Sequence, residues 1–291
     1  MIIKKYHSLN EPVMSRVLEL ENVCNDYDQL KGSVFLDTSL NFNQAIPGIF
    51  LLYDCQTLIS MLSMFIPSHL EVEISAMTRP EYRQNGYFTA LLEQAVEELR
   101  SHNIPEILFV CEKPSDVGKD VLLNHLQASY EHTEYYMSLP RGGQCNLGKQ
   151  RLFLTKATLQ DLEILIQLSS EIFEDNYDDA KSLIQNCLNS QTREQYLVTV
   201  DDKPMGIASV NHLAVEEASI FGLGILPEYR GNGYGQELLK LILKNLWNRG
   251  KQQVTLEVDS KNDRAFRLYQ RMGFRIELAY DFYRKQVAEF C

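Results

Sequence analysis

An internal repeat constrains this 291-residue chain more than any other feature. Pro80-Glu-Tyr-Arg-Gln-Asn-Gly-Tyr87 and Pro227-Glu-Tyr-Arg-Gly-Asn-Gly-Tyr234 differ at one position in eight and lie 147 residues apart. Leu91-Leu92 and Leu238-Leu239 keep the same register behind them. A period this long is not a solenoid unit, so two copies of a whole domain is the simpler reading. The expected division is 1–147 and 148–291, with Arg141-Gly-Gly-Gln-Cys-Asn-Leu-Gly148 as a glycine-rich linker.

The second copy of the repeat follows a strand-like run, Ser219–Ile225, and opens into a helical pattern with Leu239, Ile242 and Leu246 on one face. A strand that turns through small residues into a helix leaves the first backbone N–H groups unpaired. Glycines at 231, 233 and 235 allow an anion to approach those donors, and phosphate suits them. A P-loop would need Lys-Ser/Thr after its second glycine, where this chain has Tyr234-Gly235.

Composition narrows the partners. The net charge of -11 argues against nucleic acid as the main partner. Residues 1–148 hold ten basic against nineteen acidic residues, and the remainder eighteen against twenty, so the second half suits a polyanion better. No apolar run approaches the length of a membrane span, and the start lacks a signal-peptide core. Six cysteines without paired spacing read as reduced thiols of a cytoplasmic protein, with no metal site.

Strands alternate with helices in both halves, which predicts an α/β fold with a mixed sheet in each. In the first half strands are expected at Ile2–Tyr6, Ile49–Tyr53, Leu58–Phe65, Leu70–Thr78, Ile107–Cys111 and Glu134–Leu139. In the second, Val254–Val258 alternates cleanly and leads into a helix that stops at Gly273. Ser260 and Asp263 are the expected capping pair of that helix. Asn262, Ala265 and Tyr269 stand at i, i+3 and i+7 and share one face.

Two motifs, Arg-x-x-Gly-x-Gly at Arg230–Gly235 and Asn-x-x-Ala-x-x-x-Tyr-x-x-x-Gly-Phe at Asn262–Phe274, together resemble the Gcn5-related N-acetyltransferase (GNAT) superfamily. The resemblance implies two tandem GNAT-like domains and transfer of an acetyl group from acetyl-CoA to a primary amine of a small molecule. It implies that Arg230, Gly231, Asn232, Gly233, Tyr234 and Gly235 hold the coenzyme pyrophosphate, and that Asn262 touches the pantetheine arm. Backbone N–H groups at Leu223 and Ile225 would hold the thioester carbonyl, with Gly222 and Gly224 suiting a bulge there. Tyr269 would protonate the departing thiolate, help typically worth about 10²–10⁴ in rate. Glu216 and Glu217, at the start of the strand before the loop, stand where the family often keeps its base. The acidic run Glu171, Glu174, Asp175, Asp178 and Asp179 is either a solvated surface or an attraction for a cationic amine.

The first half departs from the pattern. Phe88 stands where Gly235 does, and Ser115 and Leu122 stand opposite Asn262 and Tyr269. Leucine has no proton to donate, so the first copy reads as a binding or structural one. A coenzyme-binding regulatory protein without turnover is the alternative from another class.

Overall fold

The computed structural model describes residues 1–142 and 150–290, so most of the expected linker lies outside the described residues. In chain order the first elements are β1 (Ile2–Tyr6), α1 (Glu11–Asp28), β2 (Ile49–Asp54), β3 (Thr57–Phe65) and β4 (Glu71–Thr78). They are followed by α2 (Tyr87–Ser101), β5 (Glu106–Glu112), a short α3 (Asp116–Asp120) and β6 (Ser129–Pro140). Then come β7 (Leu152–Lys156), α4 (Leu162–Phe173), α5 (Tyr177–Asn189), β8 (Arg193–Val200) and β9 (Lys203–Asn211). The last are β10 (Glu217–Ile225), α6 (Tyr234–Asn248), β11 (Gln253–Asp259), α7 (Asp263–Arg271) and β12 (Arg275–Gln286).

These elements build two compact units, but not at the expected boundary. Unit 1 is Met1–Thr133 together with the chain from Leu278 onward, and unit 2 is Glu134–Glu277. The strand expected to close the first half, Glu134–Leu139, pairs instead with β11, from Glu134↔Asp259 to Pro140↔Gln253. In exchange, Tyr280–Gln286 of β12 pairs with β5 of unit 1. The division at 147/148 is displaced because each half of the sequence lends the other a strand. Tyr135, Met137 and Leu139 lie on the apolar face that meets Leu256 and Val258, so hydrophobic pattern fixes the face while leaving the partner open.

Unit 1 orders its sheet β1-β2-β3-β4-β5-β12, with β4 and β5 parallel. Helix α2 buries Leu91, Leu92, Ala95, Val96 and Leu99 at the three- and four-residue spacing of one helix face. On the other sheet face α1 packs Val17, Leu20 and Cys24 against Leu51 and Met61. Unit 2 orders its sheet β6-β11-β10-β9-β8-β7, with β10 and β11 parallel. Helix α6 buries Leu238, Leu239, Ile242, Leu243 and Leu246, each burial worth roughly 1.5–3 kcal/mol. Helices α4 and α5 cover the opposite face around Leu165, Ile166, Ile184 and Ile207.

Both parallel pairs come apart. β10 meets β11 only from Glu217↔Gln253 to Ile220↔Leu256, although both strands continue. Likewise β4 meets β5 only from Glu71↔Glu106 to Ile74↔Phe109. In unit 2 the parting strand also carries the expected bulge. Its register against β9 shifts between Phe221 and Gly224, with Gly222 at φ 54°.

The strand exchange has a testable consequence. Ending the chain after Glu277 should leave unit 2's sheet paired while stripping β12 from β5, together with the buried Tyr283 and Val287. Hydrogen exchange should then show lost protection at Glu106–Glu112 and retained protection at Gln253–Asp259. The opposite pattern would restore the division at 147/148.

Candidate active site

The glycine loop of unit 2 has the geometry its sequence demands. Gly231 and Gly233 sit at φ 87° and 81°, where side-chain-bearing residues are strained, and Gly233 is the N-cap of α6. Arg230 N donates to Pro227 O and Glu237 N to Gly233 O. Between them, among the described residues, no backbone N–H from Gly231 to Gln236 donates to a protein acceptor. Six consecutive unpaired donors at the positive end of a fifteen-residue helix form an anion cradle.

The Arg230 side chain takes a different position from the one implied. Its Nε donates to Ile225 O at 2.9 Å and its Nη2 to Ile172 O at 3.1 Å. It ties the loop to the ends of β10 and α4, shaping the cradle from behind. Asn232 likewise turns its Nδ2 back toward Tyr229 O and Arg230 O, at 3.4 Å each. Sequence reasoning missed two further supports. Arg151 stacks its guanidinium 4.3 Å from the Tyr234 ring centroid and donates to Asn232 O at 3.2 Å. Glu237 is buried, and accepts from Arg151 N, Arg151 Nε and Leu152 N, clamping β7 to the first turn of α6. A carboxylate beside Leu238 and Leu239 on an apolar face was the signal for it.

Beyond the parting of the strands, alternate backbone groups of Phe221–Ile225 lose the partner that β11 would have supplied. Leu223 and Ile225 lie in this stretch, and Gly224 must be glycine because a Cβ there would overlap Ile172 and Phe173. Helix α7 starts differently from expectation. Its cap is Asn262, whose Oδ1 accepts from Ala265 N at 3.1 Å, and not Ser260. Asn262 Nδ2 has no protein partner among the described residues, and the residue is exposed. Tyr269 is buried in the core beside Phe274, and its hydroxyl donates to no described protein acceptor. Burial pushes that hydroxyl up to about 12, so it stays protonated across neutral pH.

Glu216 and Glu217 are exposed at the start of β10, the end of the strand remote from the loop. Glu217 precedes Ile225 by eight residues, roughly 26 Å of strand, and lies opposite Gln253 in the fully paired region. The structure therefore separates both from the split. It brings a different carboxyl there. Glu257 faces away from the Val254–Leu256–Val258 apolar face, one residue past the last β10–β11 pair. Its side chain is exposed to solvent at one side, while protein surrounds the carboxyl on the others. Burial, with the Glu134 carboxylate adding to it, pushes its carboxyl up to about 7.

Part of the acidic run lines a hollow of about 750 Å³ between α4 and the start of α5, with Glu163, Gln167, Ser170, Glu171, Asp175 and Tyr177 on its walls. Asp175 accepts from Ser169 Oγ at 3.1 Å, and burial raises its carboxyl above the usual range against that hydrogen bond. Asp179 is buried and bonded to Asn176, the cap of α5. Glu174 ends α4 in the left-handed region. Arg267 pairs with Asp263 in the open, so this pair is ordinary surface. Among the described residues no cluster of His, Cys, Asp or Glu could hold a metal ion, and no helix is long and apolar enough to cross a membrane.

Unit 1 repeats the loop closely. Gln84 holds φ 62° where Gly231 holds 87°, and Gly86 holds 77°. Backbone N–H groups from Gln84 to Thr89 again have no protein acceptor among the described residues. Ser115 caps α3 as Asn262 caps α7. The chemistry around this copy differs. Leu122 is buried in the apolar core, and Tyr130 spends its hydroxyl on Thr133 Oγ1 at 2.8 Å. The segment after α1 crosses the sheet face. Gly32 N donates to Glu112 Oε2 at 2.7 Å, Val34 N to Glu21 Oε1 at 2.6 Å, and a Cβ on Gly32 would strike the Tyr280 hydroxyl.

Glu237 makes the cradle acid-sensitive. Burial works against its charge, but the two backbone N–H groups and Arg151 outweigh that and hold its carboxyl below the usual 4.5. A carboxyl lowered on folding stabilises above the unfolded value and loses that contribution as pH falls through the folded one. Wild-type thermal stability should therefore drop below about pH 4.5 more steeply than that of Glu237→Gln. At pH 7 the variant should be less stable by about 1–3 kcal/mol, since buried donors lose a charged acceptor. Parallel melting curves against pH for the two proteins would contradict the clamp.

Comparison with known proteins agrees with this geometry. The sequence profile of the acetyltransferase (GNAT) family matches residues 14–118 and 162–274, once in each half. The [ribosomal protein bS18]-alanine N-acetyltransferase of Salmonella typhimurium is 32% identical over 84 residues, 28% of this chain and 56% of that enzyme. The mycothiol acetyltransferase of Corynebacterium efficiens is 32% identical over 84 residues, 29% of this chain and 28% of that protein. The chain thus spans just over half the length of the first relative and about a quarter of the second. A GCN5-related N-acetyltransferase from Sphaerobacter thermophilus superposes with a TM-score of 0.72 at 16% identity, covering 98% of this chain and 95% of that one. A tandem GNAT protein from the clavulanic acid biosynthesis pathway gives 0.70 at 13%, covering 98% and 99%. At such identities these two likenesses speak for the fold alone. The chain belongs to the acetyltransferase (GNAT) family and carries its fold twice in tandem.

Proposed function

We propose that unit 2 transfers an acetyl group from acetyl-CoA to a primary amine, with Glu257 as the base and Tyr269 as the proton donor. The observation that carries this reading is the run of six unpaired N–H groups, Gly231–Gln236, directly after a strand that parts from its neighbour. Such a cradle fits a pyrophosphate, and its glycines leave nothing closer than 3.7 Å to an added Cβ at 231, 233 or 235. Asn262 Nδ2 offers a free amide donor for the pantetheine arm. When bound, acetyl-CoA supplies a thioester whose carbonyl takes up the amine and whose sulfur leaves as thiolate.

The chain's own residues divide the proton work. A primary amine is largely protonated at neutral pH and must lose a proton before it attacks. A carboxyl near 7 is matched to that task, because it is half ionised where it must act. Tyr269 plays the opposite part. With its hydroxyl near 12 and a thiol near 8.5, it donates a hydrogen bond that strengthens as charge builds on sulfur. Unpaired N–H groups of the Phe221–Ile225 stretch supply donors for the carbonyl oxygen. Arg230 contributes by holding the loop's shape. The carboxylates of Glu163, Glu171 and Asp175 favour a cationic acceptor, and such attraction weakens with added salt.

Release of free CoA from acetyl-CoA across a panel of amines, including peptides with free N-termini, tests the reaction. Tyr269→Phe should lower kcat at least about tenfold while leaving the KM for acetyl-CoA nearly unchanged. Glu257→Gln should lower kcat by at least about tenfold, removing a base typically worth 10²–10⁴. Wild-type turnover in either variant would remove that residue from the mechanism.

A further inference from the structure

The strand exchange places three residues from the first half of the sequence on the face of unit 2's sheet that carries Glu257. Glu134, Tyr136 and Ser138 alternate with Tyr135, Met137 and Leu139, which face the α6–α7 core. Tyr136 pairs directly with Glu257, and Glu134 with Asp259. Directly opposed side chains on one sheet face stand about 4.5–5.5 Å apart at Cβ, and diagonal ones about 7–8 Å. Tyr136 is therefore Glu257's nearest neighbour across the pair, and Glu134 its diagonal one. Ser138 is spent on Glu277 Oε1 at 2.7 Å, so it buttresses the strand. Tyr136 is half-buried, yet its hydroxyl donates to no described protein acceptor. A rigid ring with an unspent O–H beside the proposed base is equipped to orient an incoming polar amine.

Resting on the reading above, we propose that Tyr136 and Glu134, on the lent strand, are positioning residues for the amine acceptor of unit 2. Tyr136 hydrogen-bonds the acceptor beside its reacting nitrogen, and Glu134 keeps Glu257 a strong enough base to take the proton. The groups facing Glu257 are Tyr136 and Glu134 on β6, Thr255 and Asp259 on β11, and Glu277 of β12 through its bond from Ser138; Ser219 and Phe221 of β10 bring no charge. The Glu134 carboxylate nearby favours a protonated Glu257, so removing that charge should shift its titration to lower pH. The acceptor site of unit 2 is in this way completed by residues 134–138, which precede its own loop and helices in the sequence.

Point variants of the full chain test this. Tyr136→Phe keeps the ring, and should raise KM for the panel's best amine about three- to tenfold with the KM for acetyl-CoA unchanged. Calorimetry with that amine should show a matching loss of affinity, a readout that does not need turnover. Glu134→Gln should move the acid limb of kcat to lower pH by on the order of half a unit to one unit. A wild-type acceptor KM and affinity in Tyr136→Phe, or an unmoved limb in Glu134→Gln, overturns the proposal, with thermal midpoints confirming that both variants are folded. Failure of Glu257→Gln to slow the reaction would instead indict the base assignment, and leaves the Tyr136 binding measurement intact as a separate test.

Discussion

The parting of β10 from β11 after Ile220↔Leu256 is the constraint on which the rest of unit 2 depends. A sheet that opens in its middle leaves backbone donors and acceptors without partners, and buried orphans of this kind are costly. The bulge at Gly222–Gly224 falls in that opened stretch, while Arg230 ties Ile225 O and Ile172 O behind it. The cradle at Gly231–Gln236 continues the same theme one turn later. Both features leave backbone groups open to a ligand or to water, and both are held from outside the site, by α4 and by the Glu237 clamp.

How much of this was legible in the sequence followed how local each interaction is. The loop, the α6 face, the alternation of β11 and the bulge glycines were readable because each rests on neighbours within a few residues. The cap of α7 was misplaced by two residues because Ser260 and Asn262 are both competent caps, and backbone geometry chose the second. The strand exchange was not readable. Residues 134–140 alternate as any half-buried strand does, and nothing in that pattern says which β-strand will lie beside it. Glu257 escaped notice for the same reason, since its proton affinity comes from crowding and from Glu134, 123 positions away. Glu216 and Glu217 attracted notice because the family resemblance points to a base at the start of this strand, whereas here that start lies eight residues of extended chain from Ile225.

The two units show how one duplicated frame diverges. Unit 1 keeps the left-handed loop positions even where glutamine replaces glycine, at the strain of φ 62° on Gln84. It keeps a side-chain cap on the following helix and loses the hydroxyl, with Leu122 packed into the core where the second copy has Tyr269. Its sheet face is crossed by its own segment around Gly32, anchored on Glu112 and Glu21. Anion donors persist in both copies, while the Tyr269 hydroxyl and the Glu257 carboxyl near neutrality are found in the second.

The central claim is that turnover belongs to unit 2, and a matched pair of loop variants tests it most directly. Gly86 and Gly233 have nearly equal φ, 77° and 81°, so glutamate imposes the same backbone strain at each and puts a like charge in each cradle. With both proteins folded, Gly233→Glu should abolish CoA release from acetyl-CoA and the best amine, and Gly86→Glu should leave most of it. Activity that survives Gly233→Glu and disappears with Gly86→Glu would place the chemistry in the other unit.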